Sequence, residues 1–192
     1  SVKAVYISSW VAGTPSLRNK IVDMIDKTAI NAVVIDIKDY TGMVSFQPLA
    51  ESTSGAGAAV IAEGCIESRI RDASDFIKTL HDKNIYVIGR VAVFQDPCMV
   101  KKHPEWAVKT KSTGAVWQDH KGITWIDAGS PEAWEYNVQI ARASHEIGFD
   151  EINFDYIRYP SDGNMEDISF PVSGERERSE TLKGFFAYID KE

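Results

Sequence analysis

The 192-residue chain has only two cysteines and four histidines, no apolar run of membrane-spanning length, and no surplus of basic residues. Each shortage excludes something. A transmembrane helix needs about 18–20 consecutive apolar residues, so no membrane span is predicted. A net charge of −7 argues against a nucleic-acid backbone or an anionic membrane as the main partner. His81, His103, His120 and His145 lack ligand-like spacing, as do Cys65 and Cys98, so no metal site is expected. The glycine-rich turn that cradles a nucleotide phosphate is absent, so no cofactor is expected. The two cysteines fall in predicted loops. Two free thiols is the simpler reading, and a disulfide across the two loops also fits. The chain opens directly in a strand-like segment, Val2 to Ser9, with no visible signal peptide.

What is present is a core-forming α/β pattern. Hydrophobic residues make up 44% of the chain, enough for one well-buried domain over 1–192. Strands are predicted over 2–9, 31–38, 85–93 and 151–155. Helices are predicted from Thr14-Pro15, over 66–83, from Ser130-Pro131 to Ile147, and over 176–190. Thr14 and Ser130 are read as caps with proline at the first helical position, and Gly148 as the stop. Residues 39–65 read as a long loop, with Ser54-Gly-Ala-Gly-Ala-Ala as a flexible tract. Residues 115–126 read as a hairpin turning near Lys121-Gly122, and 161–174 as a polar loop. Four strand–helix units in order imply parallel strands with right-handed crossovers. An eight-unit barrel takes about 250 residues, so the chain holds about four (β/α) units, a partial barrel of the TIM type. A small open doubly wound sheet is the competing architecture. Either way two strand edges are left unpaired, through which the chain could form a homo-oligomer.

Side chains alternate across a strand. Val5, Ile7, Val33, Ile35, Ile37, Val87, Val91, Ile152 and Phe154 mark one face. The other carries Tyr6, Ser8, Asp36, Lys38, Arg90, Asn153 and Asp155. Parallel strands buried on both sides are normally apolar throughout, and unpaired polar groups there are costly. A barrel mouth explains polar tips at the C-terminal ends, where barrel enzymes keep catalytic groups. A structural ion-pair network of Asp36, Lys38, Arg90 and Asp155 is the alternative. Aromatics gather in the same loops: Trp10, Tyr40, Phe46, Phe94, Trp106, Trp117, Trp125, Tyr156 and Tyr159. Flat rings suit the C–H faces of sugars, while carboxylates and guanidinium groups suit their hydroxyls.

Three stretches carry a resemblance: Ile88-Gly-Arg-Val-Ala-Val-Phe-Gln-Asp-Pro97, Trp125-Ile-Asp-Ala-Gly-Ser-Pro131, and Gly148-Phe-Asp-Glu-Ile-Asn-Phe-Asp-Tyr-Ile-Arg-Tyr-Pro160. With Val34 to Gly42 as a second-strand motif, they resemble the "putative glycosyl hydrolase domain" family. That bacterial family of unknown function is distantly similar to alpha-amylase-type (β/α)8 glycosidases. The resemblance implies a (β/α)8 barrel that hydrolyses glycosidic bonds in a polysaccharide or oligosaccharide. Asp155 matches the strand-four acid that is the nucleophile in the amylase-like relatives. Those relatives usually carry arginine two residues earlier, where this chain has Asn153; Arg90 on the neighbouring strand is the expected substitute. Their acid/base glutamate lies on a fifth strand, so the chain is read as the N-terminal half of the domain, with that acid beyond Glu192. Family habit points to an extracellular or cell-envelope location, with the cytoplasm the alternative.

The site expected from these readings has Asp155 as nucleophile or stabilising carboxylate, with Arg90 and Lys38 holding it ionised. Asp36, Asp39 and Arg158 bind hydroxyls, and Asn153, Tyr156 and Trp125 complete the substrate contacts. Asp36 and Asp39 are fallback acids. A non-catalytic carbohydrate-binding barrel is the second functional reading, and a barrel enzyme of another class the third.

Overall fold

A computed structural model of the protein describes residues 1–49 and 56–192. In chain order the elements are β1 (Ala4–Ile7), α1 (Ser9–Ala12), α2 (Pro15–Ile25), β2 (Ala32–Lys38), α3 (Ala56–Glu63), α4 (Ala73–His81) and β3 (Tyr86–Ala92). They continue with α5 (Pro97–Lys102), β4 (Lys109–Thr110), α6 (Pro131–Glu146), β5 (Glu151–Asp155), β6 (Ile168–Ser169) and α7 (Arg178–Lys191). The main sheet is parallel, in the order β1-β2-β3-β5, and is not closed. The predicted strands are therefore all present, and β1 and β5 are the sheet's two edges. The chain divides into two compact units.

The first unit comprises Ser1–Asp39, Val44–Val91 and Gln139–Asn153. Val33, Ile35, Ile37, Val87 and Val91 are buried there, together with Phe76, Ile77 and Leu80 of α4. Full burial of such a side chain contributes at most about 1.5–3 kcal/mol. The ladder between β2 and β3 pairs Asp36 with Arg90, then slips so that Lys38 faces Val91. A bulge of this kind re-aims the side chains at a strand's end. Gly89 leaves room for its neighbours' side chains: a Cβ there would lie 2.0 Å from Ile37 Cδ1 and 3.1 Å from Phe149 Cδ1.

Two boundaries and one cap differ from the sequence reading, each for a physical reason. β1 ends at Ile7 because Ser8 caps α1, its Oγ accepting from the Val11 amide at 3.3 Å. Thr14 precedes α2, but its hydroxyl donates to the Trp10 carbonyl at 2.7 Å and does not cap. The predicted helix over 66–83 begins only at Ala73, because the backbone of 66–70 is used elsewhere. The Glu67 amide donates to the Val44 carbonyl and the Ile70 amide to the Ser45 carbonyl. In the expected loop 39–65, Ala56–Glu63 is helical. Of the tract read as flexible, Ser54 and Gly55 lie outside the described residues, and Ala56–Ala59 belong to α3. Gly57 is there because the chain passes too close for a side chain: a Cβ would meet the Leu49 carbonyl oxygen at 1.9 Å.

The second unit comprises Tyr40–Met43, Ala92–Val138 and Phe154–Glu192. Its aromatic core sets Phe185 of α7 against Phe94, Trp134 and Phe154, with ring centroids 5.2, 5.9 and 6.3 Å away. A second cluster holds Val108, Trp117, Trp125 and Ile168. The predicted hairpin forms: Gln118 bridges Thr124 antiparallel, and Gly122 takes φ +75°. β4 and β6 pair antiparallel; the sequence reading left both inside loops. Ser130 caps α6 as predicted, its Oγ accepting from the Ala133 amide at 3.4 Å. Neither cysteine is a free thiol, which corrects the simpler reading: Cys65 and Cys98 are both disulfide-bonded. Spacing in sequence could not decide this, because a bridge depends on where two Cα atoms end up. Among the described residues no helix is long and apolar enough to cross a membrane.

Candidate functional site

Asp155 is the last residue of β5 and is half-buried. The strand stops there because Tyr156 turns into the left-handed region, at φ +54°. A non-glycine residue pays conformational strain in that region and is held there by its surroundings. The Tyr156 amide donates to Asp155 Oδ1 at 2.7 Å, so the turn itself orients the carboxylate. Beyond it, the Arg158 guanidinium lies 4.8 Å over the Trp125 ring and 5.5 Å over the Tyr156 ring. Both distances suit a cation–π contact. Three predicted binding residues, Trp125, Tyr156 and Arg158, are thus brought together: Arg158 is exposed and Tyr156 half-buried, while Trp125, 2% exposed, packs in the core beneath the guanidinium.

The loop after β5 is anchored at two places. The Trp117 indole donates to the Asn164 carbonyl at 3.0 Å, and a Cβ at Gly163 would strike the same ring at 2.6 Å. Asp127, with no solvent exposure, accepts from the amides of Gly129 (3.1 Å), Val172 (2.8 Å) and Ser173 (3.0 Å), and from the Ser173 hydroxyl. Asp127 lies in the Trp125–Pro131 motif, whose pattern in sequence assigns it no role. Its chemistry here is that of a buried anion satisfied by backbone donors.

In the first unit, β1, β2 and β3 each contribute one member of a closed triangle. The Tyr6 hydroxyl donates to Asp36 Oδ2 at 2.5 Å, and Arg90 donates to Asp36 Oδ1 at 2.8 Å. The Arg90 guanidinium lies 5.9 Å over the Tyr6 ring. Asp36 is 4% exposed, and a buried carboxylate needs such partners. Burial, and then the hydrogen bond to Asp36, push the Tyr6 phenol up to about 12. Tyr6 lies on the polar face identified in the sequence, but it was not selected as a binding residue. The signal was available: residues two apart on neighbouring strands reach one another diagonally.

Asp39 joins a second group, around Arg69. Arg69 donates to Asp39 Oδ2 at 2.5 Å, to Ser9 Oγ at 3.0 Å and to Glu67 Oε2 at 2.6 Å. Burial alone would lower the Arg69 pKa; the bonds to Glu67 and Asp39 outweigh it and raise it. Its guanidinium also lies 4.6 Å over the Trp10 ring. No signal in the sequence marks Arg69, because residues 66–72 read as the first turns of the helix predicted over 66–83, with Ile66 and Ile70 on its apolar face. Lys38 is wholly buried, whereas Asn153 is exposed on its edge strand. Among the described residues, no group of three histidine, cysteine or acidic side chains is placed to hold a metal.

Residues 4–192 match the family described as "putative glycosyl hydrolase domain". The chain belongs to this family. A hypothetical protein from Ruminiclostridium thermocellum ATCC 27405 has a crystal structure that superposes with a TM-score of 0.84 at 36% identity. The alignment covers 97% of this chain and 91% of that one. A GH31 alpha-xylosidase from a soil metagenome, complexed with xylose, superposes with a TM-score of 0.61 at 14% identity, over 98% of this chain and 27% of its own. An alpha-galactosidase from Thermus thermophilus gives 0.60 at 14% identity, over 100% and 36%. At such identities the likeness is one of fold: the family member is an open portion of a TIM-type (β/α) barrel. The chain spans about a quarter to a third of those two glycosidases. No curated protein sequence matches it.

Proposed function

We propose that the protein acts in hydrolysis of a glycosidic bond in a polysaccharide or oligosaccharide, with Asp155 as the nucleophile or ion-stabilising carboxylate. The observation that carries this reading is the end of β5. A half-buried carboxylate stands at a strand's C-terminal tip, oriented by the amide of a residue at positive φ. Strand tips are where barrel enzymes place their chemistry, and backbone strain collects at such sites. The family and the glycosidase fold support the same class of reaction. Arg158, exposed and held over the buried Trp125 ring, supplies a cationic hydrogen-bond donor beside the half-buried Tyr156 ring, which suits the hydroxyls and C–H face of a sugar.

In glycoside hydrolysis a carboxylate faces the anomeric carbon while a second carboxyl group protonates the leaving oxygen. Asp155 takes the first role: its charge opposes the positive charge that develops on the sugar. Asp36 and Asp39, the fallback acids, are engaged with Tyr6 and Arg90, and with Arg69. They therefore suit holding the strand ends of the first unit in place better than delivering a proton. The disulfide form of both cysteines favours an extracellular or envelope location, because such bonds persist in oxidising compartments.

The test is Asp155→Asn in the natural protein, assayed by reducing-end release from polysaccharides that the wild type cleaves. Losing a transition-state charge partner should lower kcat by at least about 10²–10³-fold. Unchanged turnover would remove Asp155 from the mechanism. Oligosaccharide binding by the wild type without reducing-end release would favour the non-catalytic carbohydrate-binding reading.

A further inference from the structure

We infer that Trp10 and the cleft beside it form a separate saccharide subsite for neutral sugar rings, an inference that rests on the carbohydrate-active reading above. The cleft, of about 790 Å³, lies between residues 10–15 and 67–72 of the first unit. Trp10 stands at its wall, 58% exposed. Arg69 covers one face of the indole at 4.6 Å, so that exposure belongs to the rest of the ring. A single exposed aromatic is ordinary on a protein surface; one that walls a concave cleft with a few fixed polar groups has the make-up of a ligand site.

The platform is rigid, which distinguishes it from a loose surface tryptophan. The Arg69 side chain is 4% exposed although charged. Its donors are taken up by Asp39, Ser9 and Glu67, which fix the guanidinium under the indole. Gly13 packs directly on that segment: a Cβ there would sit 2.0 Å from the Arg69 carbonyl oxygen. The Thr14 hydroxyl ties back to the Trp10 carbonyl at 2.7 Å. Arg18 donates to Asp72 at 2.7 and 2.5 Å, which braces the far wall. A preformed aromatic surface binds without the entropy loss of ordering it.

The lining chemistry selects the sugar class. The ionised residues of the cleft are Glu67, Arg69, Arg71 and Asp72, two of each sign. With the Arg69 donors taken up inside the wall, Arg71 is the exposed donor and Glu67 and Asp72 the acidic groups, a lining with no surplus of positive charge to attract a sugar acid. Both Asp72 oxygens accept from Arg18, whereas Glu67 keeps 46% of its side chain exposed and takes both Arg69 bonds on Oε2, so Glu67 is the acceptor that suits a sugar hydroxyl. The subsite therefore takes neutral pyranose rings, stacked on Trp10, and acts in positioning and not in bond cleavage.

The test is calorimetric titration of wild type, Trp10→Ala, Trp10→Tyr and Asp155→Asn with maltohexaose, xylohexaose, cellohexaose and hexagalacturonate. Wild type and Asp155→Asn should bind at least one neutral hexasaccharide. Trp10→Ala should weaken it about thirtyfold, as for an anchoring aromatic, and Trp10→Tyr only about threefold. Three results overturn the inference: no neutral hexasaccharide binds wild type at millimolar concentration, hexagalacturonate binds more tightly than the neutral sugars, or Trp10→Ala binds like wild type. The two readings fail separately. Turnover that survives Asp155→Asn removes the catalytic assignment and leaves the subsite standing. Turnover lost in Asp155→Asn with binding unchanged in Trp10→Ala does the reverse.

Discussion

Replacing Asp127 by asparagine tests whether a buried carboxylate holds the segment after β6 in place. Oδ2 accepts the amides of Val172 and Ser173; Oδ1 accepts the Gly129 amide and the Ser173 hydroxyl. An asparagine must put its NH2 group at one of these oxygens. Whichever it chooses, a pair of donors loses its acceptor, and at least one backbone amide then faces another donor. A hydrogen bond to a charged group contributes about 1.5–3 kcal/mol. Two such losses in a site with no solvent exposure sum to about 3–6 kcal/mol, a large share of the roughly 5–15 kcal/mol that stabilises a typical domain. Ser173→Ala is the control. It removes one hydroxyl donor and leaves the three backbone amides satisfied, for about 1 kcal/mol. Equilibrium urea unfolding of the three proteins reads both values from the midpoints at constant slope. A loss below about 1 kcal/mol for Asp127→Asn, or one equal to that of Ser173→Ala, would refute the reasoning.

Two further predictions concern the first unit. Gly89→Ala pushes a methyl group to within 2.0 Å of Ile37 Cδ1 and should destabilise by about 1–3 kcal/mol through overpacking. Ile37→Val, which deletes that atom, should rescue it. The double variant should be more stable than the sum of the two single effects by about 1 kcal/mol or more, and additivity within about 0.5 kcal/mol would contradict the packing account. The Tyr6 phenol, raised from 10.0 to about 12, contributes stability that is complete below pH 10 and is lost as pH rises towards 12, since the unfolded chain ionises first. Difference absorbance of wild type against Tyr6→Phe should place one tyrosine titration near pH 12. A phenol titrating at the ordinary value would break the Tyr6–Asp36 link.

The strand–helix order was readable because burial imposes a period on side chains, and periods survive in one dimension. The runs around Val33–Ile37 and Val87–Val91 and the Ser130-Pro131 start of α6 were legible for that reason. The β5 motif was legible too, as an apolar run that stops at an acid before Tyr-Ile-Arg-Tyr-Pro. α3, β4, β6 and the late start of α4 were not. In each of these the local pattern is weak, and the backbone takes the conformation its distant partners permit. Residues 66–70 bond to Val44 and Ser45, and Gly57 lies against Leu49.

The same division runs through the site residues. A one-dimensional pattern can say that Asp36, Arg90 and Asp155 sit at strand ends, because alternation and strand length are local properties. It cannot say that Asp36 shares its two oxygens between Tyr6 and Arg90, that Arg69 reaches back to Ser9 and Asp39, or that Asp127 gathers donors from 45 residues away. Nor can it say that both cysteines are oxidised. Those pairings depend on distances between segments far apart in the chain, and such distances exist only once the chain has closed on itself.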